Sequence, residues 1–169
     1  NRRTSAWYEK FENYFEGLML VAKMCKFYKQ NAQGFHTVNP RELWNSYVSE
    51  YYEVDTYYRE FCKYFVATSK DGNGDLHDLY HNVMDYVEDL YNNWFLGQLG
   101  ANWHSVCSEE LEIYGHILEV PQQTDFYKTK VKSSDTRVFV IISDALRYEV
   151  AATLTEQLRR ETQSKVELN

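Results

Sequence analysis

The chain has 169 residues, is 44% hydrophobic and 17% aromatic with 15 Tyr, and carries only 7 Gly and 2 Pro. That profile suits long helices packed through amphipathic rings, not a Pro- and Gly-rich disordered or fibrous chain. A net charge of -7 and a pI near 5.2 argue against a general nucleic-acid surface, which needs Lys and Arg to neutralise phosphate.

No run approaches the roughly 18 uninterrupted apolar residues of a membrane helix. The opening NRRTSAWYEKFENYF mixes charge with aromatics where a signal peptide needs an apolar stretch. A soluble, cytoplasmic protein without a membrane partner is expected, and the lack of an initiator Met suggests a fragment or a processed product. Cys25, Cys62 and Cys107 lie far apart among apolar helical positions. They read as buried thiols in a reducing compartment, with no CxxC spacing for zinc.

Residues 5–31 carry a helical period in Tyr8, Phe11, Phe15, Leu18, Ala22 and Cys25, and a second stripe, Trp7, Tyr14, Val21 and Tyr28, predicts a helix packed between neighbours. Asn31 to Gly34 is a stop, and Asn39-Pro40 is a start, with Asn as the cap and Pro at the first helical position. A second helix is expected over 40–68, burying Leu43, Tyr47, Tyr51, Val54, Tyr58, Phe61 and Phe65. The turn after it places Asp71, Asn73 and Asp75 at alternate positions, as a calcium loop does. Leu76 stands where that loop needs Gly, however, and Asn82 where it needs Glu, so a polar turn is the better reading.

A third helix is expected over 76–96. His77 and His81 lie four apart on it, without the HExxH arrangement of a zinc helix, and read as a polar face. Gly97 to Gly100 are expected to interrupt the pattern, which resumes over 101–107, and a short helix capped at Ser108 should follow to about Ile117.

The character changes from Pro121, and 130–136 reads as a connector. Beyond it Val138 to Ile142 is an apolar, β-branched run without polar alternation, the pattern of a strand buried on both faces of a parallel sheet. It stops at Ser143-Asp144, and an amphipathic helix follows, with Ala151, Leu154 and Leu158 expected on its buried face. A carboxylate at the C-terminal edge of such a strand stands where open α/β sheets build their sites, which makes Asp144 the leading site residue. The fold class is therefore mainly α: a Tyr-rich helical domain over 1–132, then over 133–169 the first strand and helix of an α/β domain, whose strand needs either the rest of a sheet from a missing C-terminal part or another pairing partner. A nucleotide-binding strand-turn-helix is disfavoured, because 143–149 contains no Gly to bring backbone amides against phosphate.

The run VFVIISDALRYEVA, continued by LTEQLRRET, resembles the start of the PglZ domain. That domain occurs in phosphatase-like proteins of bacteriophage exclusion (BREX) defence systems and is related to the alkaline phosphatase superfamily. The segment QTDFY and the helical region before it are similar to what precedes the domain in type A members. The resemblance implies an alkaline-phosphatase-like α/β domain whose first strand ends in a metal-binding Asp, here Asp144. It also implies a two-metal site, commonly zinc, that polarises a phosphoryl oxygen and activates a Ser or Thr nucleophile or a water. Asp144 also fits as a cap for the following helix, and one oxygen can serve each role.

Within DALRYE, Arg147 either presents its fork to a substrate phosphate, holds a catalytic carboxylate, or pairs with an acid near the helix start. Glu149 reads as a support group or a first-turn acid, and Tyr148 as packing. Ser143 and Thr153 lack a neighbouring base and are not expected to act as nucleophiles. In such proteins the nucleophile and the other ligands lie downstream of the matched segment. This chain alone is thus expected to bind metal weakly and to show no phosphatase activity.

Two functions follow. One is a segment of a metal-dependent phosphatase or phosphodiesterase-like hydrolase of a phage-defence system, acting on a phosphate-ester or nucleic-acid-related substrate. The other is a non-catalytic helical scaffold that docks other proteins of the defence complex through its Tyr-rich surface.

Overall fold

Helix ends form where the side-chain chemistry places them. The computed structural model describes residues 6–68, 74–163 and 165–168. Helix α1 runs Ala6–Gln30 and ends where the Asn31 amide bonds back to the Phe27 carbonyl, with Gly34 in the left-handed region at φ 84° just beyond. Helix α2, Pro40–Ser46, starts as expected: the Asn39 side chain accepts from the Arg41 and Glu42 amides, and Pro40, with no amide to satisfy, stands in the first turn. A π-helical stretch, Tyr47–Tyr51, carries the chain into α3, Tyr52–Thr68. Helix α4, Gly74–Glu88, passes through a second π-helical stretch, Asp89–Leu96, into α5, Gly97–Tyr114. Short helical turns at Gln123–Asp125 and Tyr127–Val131 lead to the last helix, α6, Tyr148–Glu161. The calcium-like turn falls largely on 69–73, outside the described residues.

Three antiparallel rods make the core. Phe27 of α1 meets Tyr51, Lys23 lies over the Tyr57 ring, and Gly17 approaches Phe61, so α1 and α3 run in opposite directions. Tyr80 against Phe61 and Phe65, with Tyr91 stacked on Tyr58 at 3.8 Å, sets α4 antiparallel to α3 in turn. Between the rods Met24, Phe27, Phe35, Val54, Phe61, Val87 and Phe95 are buried. Each such side chain contributes on the order of 2 kcal/mol by leaving water.

Several expectations are corrected. The buried face of α1 is Tyr14, Gly17, Met24 and Phe27, whereas Phe15 and Leu18 are exposed. They line, with Leu76 and Leu79, an open apolar hollow of about 270 Å³ between α1 and α4. Gly97 and Gly100 do not interrupt the third rod, which is helical without a break from Gly74 to Tyr114. Packing of Phe95, Leu99 and Cys107 outweighs a glycine penalty of about 1 kcal/mol each. The helix stops instead at Gly115, left-handed at φ 71°, whose amide bonds to the Leu111 carbonyl. Because a Cβ at Gly100 would meet nothing within 4 Å, Gly100→Ala should stabilise the chain by about 0.5–1 kcal/mol, read as a higher urea midpoint.

The mainly α expectation is met, but no strand forms among the described residues. Residues 137–143 are irregular, with Phe139, Ile141 and Ile142 at 82%, 93% and 89% exposure, because strand geometry needs ladder partners and none of the described segments supplies one. Helix α6 also buries a different face from the one expected. Glu149, Ala152 and Thr155 turn inward onto α3, while Leu154 and Leu158 stay exposed.

Candidate functional site

Helix α3 carries a carboxylate on its buried face. Asp55 follows Val54 and is 3% exposed. A carboxylate removed from water needs donors, and it has three, each from a different part of the chain. The Tyr47 hydroxyl donates to Oδ2 at 2.8 Å, the Tyr91 hydroxyl to Oδ1 at 2.6 Å, and Arg147 Nη2 to Oδ1 at 3.2 Å. Arg147 Nη2 also donates to the Tyr91 hydroxyl oxygen at 3.2 Å, which closes the cluster. Tyr47 and Tyr91 both belong to the π-helical stretches, where the i→i+5 pattern shifts the side-chain register of a helix.

One turn further along α3, Arg59 Nε donates to Oε2 of Glu149 at 2.8 Å, and Glu149 is fully buried. The other carboxylate oxygen of Glu149 stands 3.8 Å from Arg147 Nε. Between the two ionic residues, Tyr148 donates to the Val48 carbonyl at 3.1 Å, and its ring lies against Tyr47 and Tyr52. Arg147, Tyr148 and Glu149 are thus all taken up by the helical region.

Burial, and then the bond to Asp55, pushes the Tyr91 phenol from its ordinary 10.0 up to about 12; the same two causes, in the same order, raise Tyr47 further. Both folded-state values lie above the unfolded one, so the stability these groups contribute is fully present below about pH 10 and is lost as pH rises through about 12. In an alkaline titration followed at 295 nm, a subset of tyrosines should ionise only as helical circular dichroism falls. Ionisation of every tyrosine near pH 10 with the helices intact would contradict this.

Asp144, the expected metal ligand, lies elsewhere. It occupies an exposed turn with Ala145, whose φ is 54°, directly after the exposed 138–142 run. Arg147 is anchored to Asp55 and Tyr91 while its side chain remains 54% exposed. Among the described residues no three His, Cys, Asp or Glu side chains converge. These residues by themselves do not supply the ligand set of a metal centre. His77 and His81 stand with their Nε2 atoms 3.1 Å apart, packed on Phe65. The three cysteines are free thiols, but only Cys107 is buried as expected, Cys25 and Cys62 being half-buried on their helices. No helix among the described residues is long and apolar enough to cross a membrane.

Sequence reasoning passed over Asp55 and Arg59. Asp55 shares the helical stripe of Tyr51, Tyr58 and Cys62, and an acid within an aromatic stripe was the available signal.

Comparison with known proteins points to the same end of the chain. Residues 126–169 match the family described as the BREX system PglZ alkaline phosphatase-like domain. The alkaline phosphatase-like protein BrxZ of Escherichia coli O9:H4 (strain HS) is 33% identical over 176 residues, covering 99% of this chain and 20% of that protein. The alkaline phosphatase-like protein PglZ of Bacillus cereus (strain H3081.97) is 32% identical over 171 residues, covering 99% of this chain and 19% of that protein. The chain thus spans about a fifth of the length of these curated relatives, and both match its helical region as well as the family segment. No solved structure matches it.

Proposed function

We propose that this chain, whose residues 126–169 match the BREX system PglZ alkaline phosphatase-like domain, is the helical region and the opening of the α/β domain of a metal-dependent phosphoric-ester hydrolase in phage defence. The observation that supports this most is the placement of Asp144: within the family segment, exposed, on a turn after an apolar run, and outside the ion-pair cluster that occupies Arg147 and Glu149. In the intact protein Val138–Ile142 becomes a sheet strand, and Asp144 at its end gives one hard oxygen ligand to a divalent metal, zinc by family resemblance. The relatives are about five times as long, leaving room for the nucleophile and the other ligands outside the matched region. On this reading the 169-residue chain alone does not hydrolyse phosphate esters. The substrate is a phosphate ester or a nucleic-acid-related phosphodiester, and the partners are other proteins of the defence complex.

The experiment is Asp144→Ala in the intact protein, with zinc content and turnover of a p-nitrophenyl phosphate ester measured together. Both should fall. If both are unchanged, the metal reading fails and the second reading takes its place, a non-catalytic scaffold. That reading is favoured by one observation: Tyr148 and Glu149 of the family segment are both bonded across to the helical region, to the Val48 carbonyl and to Arg59.

A further inference from the structure

The cluster around Asp55 joins residues far apart in sequence, and the residue it grips is the N-cap of α6. Arg147 has extended backbone at φ -68° and ψ 147°, and its carbonyl accepts from the Val150 and Ala151 amides to open the helix. Its guanidinium reaches across 92 positions of sequence to Asp55. Asp144 lies three residues earlier, so wherever Arg147 is held, the Asp144 turn is held within one short span of backbone.

Stability alone does not account for this choice of residues. An ion pair with one partner half in water adds little stability by itself, whereas an ion pair bonded to two hydroxyls fixes direction as well as contact. Tyr47 and Tyr91 hold the carboxylate from two sides, and the Tyr91 ring is itself locked by stacking on Tyr58. Tyr148 and Glu149 add two more attachments in the next two residues, which prevents rotation about the first. The matches to both relatives cover 99% of this chain, so the helical region and the segment it grips are matched together in each.

We infer that Asp55, held by Tyr47 and Tyr91, is a positioning residue for the Asp144 turn: it fixes the Arg147 guanidinium and thereby sets where the Asp144 carboxylate stands. The functional value of that placement rests on Asp144 being a metal ligand, but the placement itself is measured without metal. Asp55→Asn keeps the volume and removes the charge. Tyr91→Phe keeps the ring stack and removes one donor.

In the intact protein, hydrogen exchange of a peptide covering 143–152 should quicken at least about tenfold in Asp55→Asn and less in Tyr91→Phe, while exchange within α1 stays within about twofold. Asp55→Asn combined with Arg147→Gln should exchange no faster than the faster single variant, because the two residues act as one unit. Titration with zinc chloride alone should show weaker binding in Asp55→Asn, by at least about tenfold. Equal quickening in α1 and in 143–152 would reduce Asp55 to a core residue and overturn the inference, as would unchanged exchange in 143–152. If Asp144→Ala leaves zinc binding untouched, the metal reading fails, and the exchange measurements still decide whether Asp55 positions the turn.

Discussion

Gly17→Ala is expected to destabilise the chain by about 3 kcal/mol, the upper end for forcing an extra methyl into a filled core. Gly17 is buried where α1 crosses α4, and a Cβ there would overlap the Tyr80 hydroxyl and lie 3.1 Å from Cζ of that ring. Tyr80 has no room to swing aside: it is 3% exposed, with the rings of Tyr14, Phe61 and Phe65 around it. The buried Tyr80 hydroxyl finds no hydrogen-bond partner among the described residues, so Tyr80→Phe alone should be close to neutral. Combining the two substitutions should recover most of the loss and leave a tight but tolerable contact at Cζ. Urea midpoints of the wild type, both single variants and the double variant complete the cycle, and a Gly17→Ala protein as stable as the wild type would show that the close approach does not exist.

Arg59→Ala should release α6. It removes the 2.8 Å partner of a fully buried carboxylate and leaves only Arg147 at 3.8 Å, and breaking a buried pair costs about 3–5 kcal/mol. The lower end applies here, because Arg59 is 34% exposed and water can enter beside Glu149. Helix α6 rests mainly on α3, so a loss of that size detaches it while the three rods remain. Limited proteolysis should then cut within 143–161, and helical circular dichroism should fall by about one helix. Replacing both partners, Arg59→Met with Glu149→Leu, should restore the docking, since apolar pairs of similar volume substitute well for buried ion pairs. An Arg59→Ala protein that keeps α6 protected would remove the argument that this pair holds the helix.

Helix positions were legible in the sequence where aromatic periodicity and capping agreed, as at Asn39-Pro40 and Gly34. Gly97 and Gly100 misled, because glycine lowers helix propensity locally whereas packing by Phe95 and Cys107 decides over the whole rod. The face of α6 misled for a related reason. Leu154 and Leu158 give the stronger apolar signal, but Glu149 has a partner in Arg59, and a paired carboxylate can be buried where hydropathy would place it outside. The candidate site was half legible. Asp144 and Arg147 follow from one short motif, whereas Asp55 and Arg59 lie 92 and 90 positions from the residues they grip, a distance that no local pattern spans.

Val138 to Ile142 are five consecutive apolar residues in an exposed, unpaired segment, flanked by Arg137 on one side and Asp144 just beyond Ser143 on the other. Such a run is a template for pairing with its own copies, and flanking charges of opposite sign act as gatekeepers against it. Asp144 thereby has a colloidal role wherever the run is uncovered. Neutralising it lengthens the adhesive stretch as well as removing a carboxylate, so soluble yield and light scattering of Asp144→Ala should shift toward self-association, and a drop in zinc or turnover must be read at matched monomer concentration.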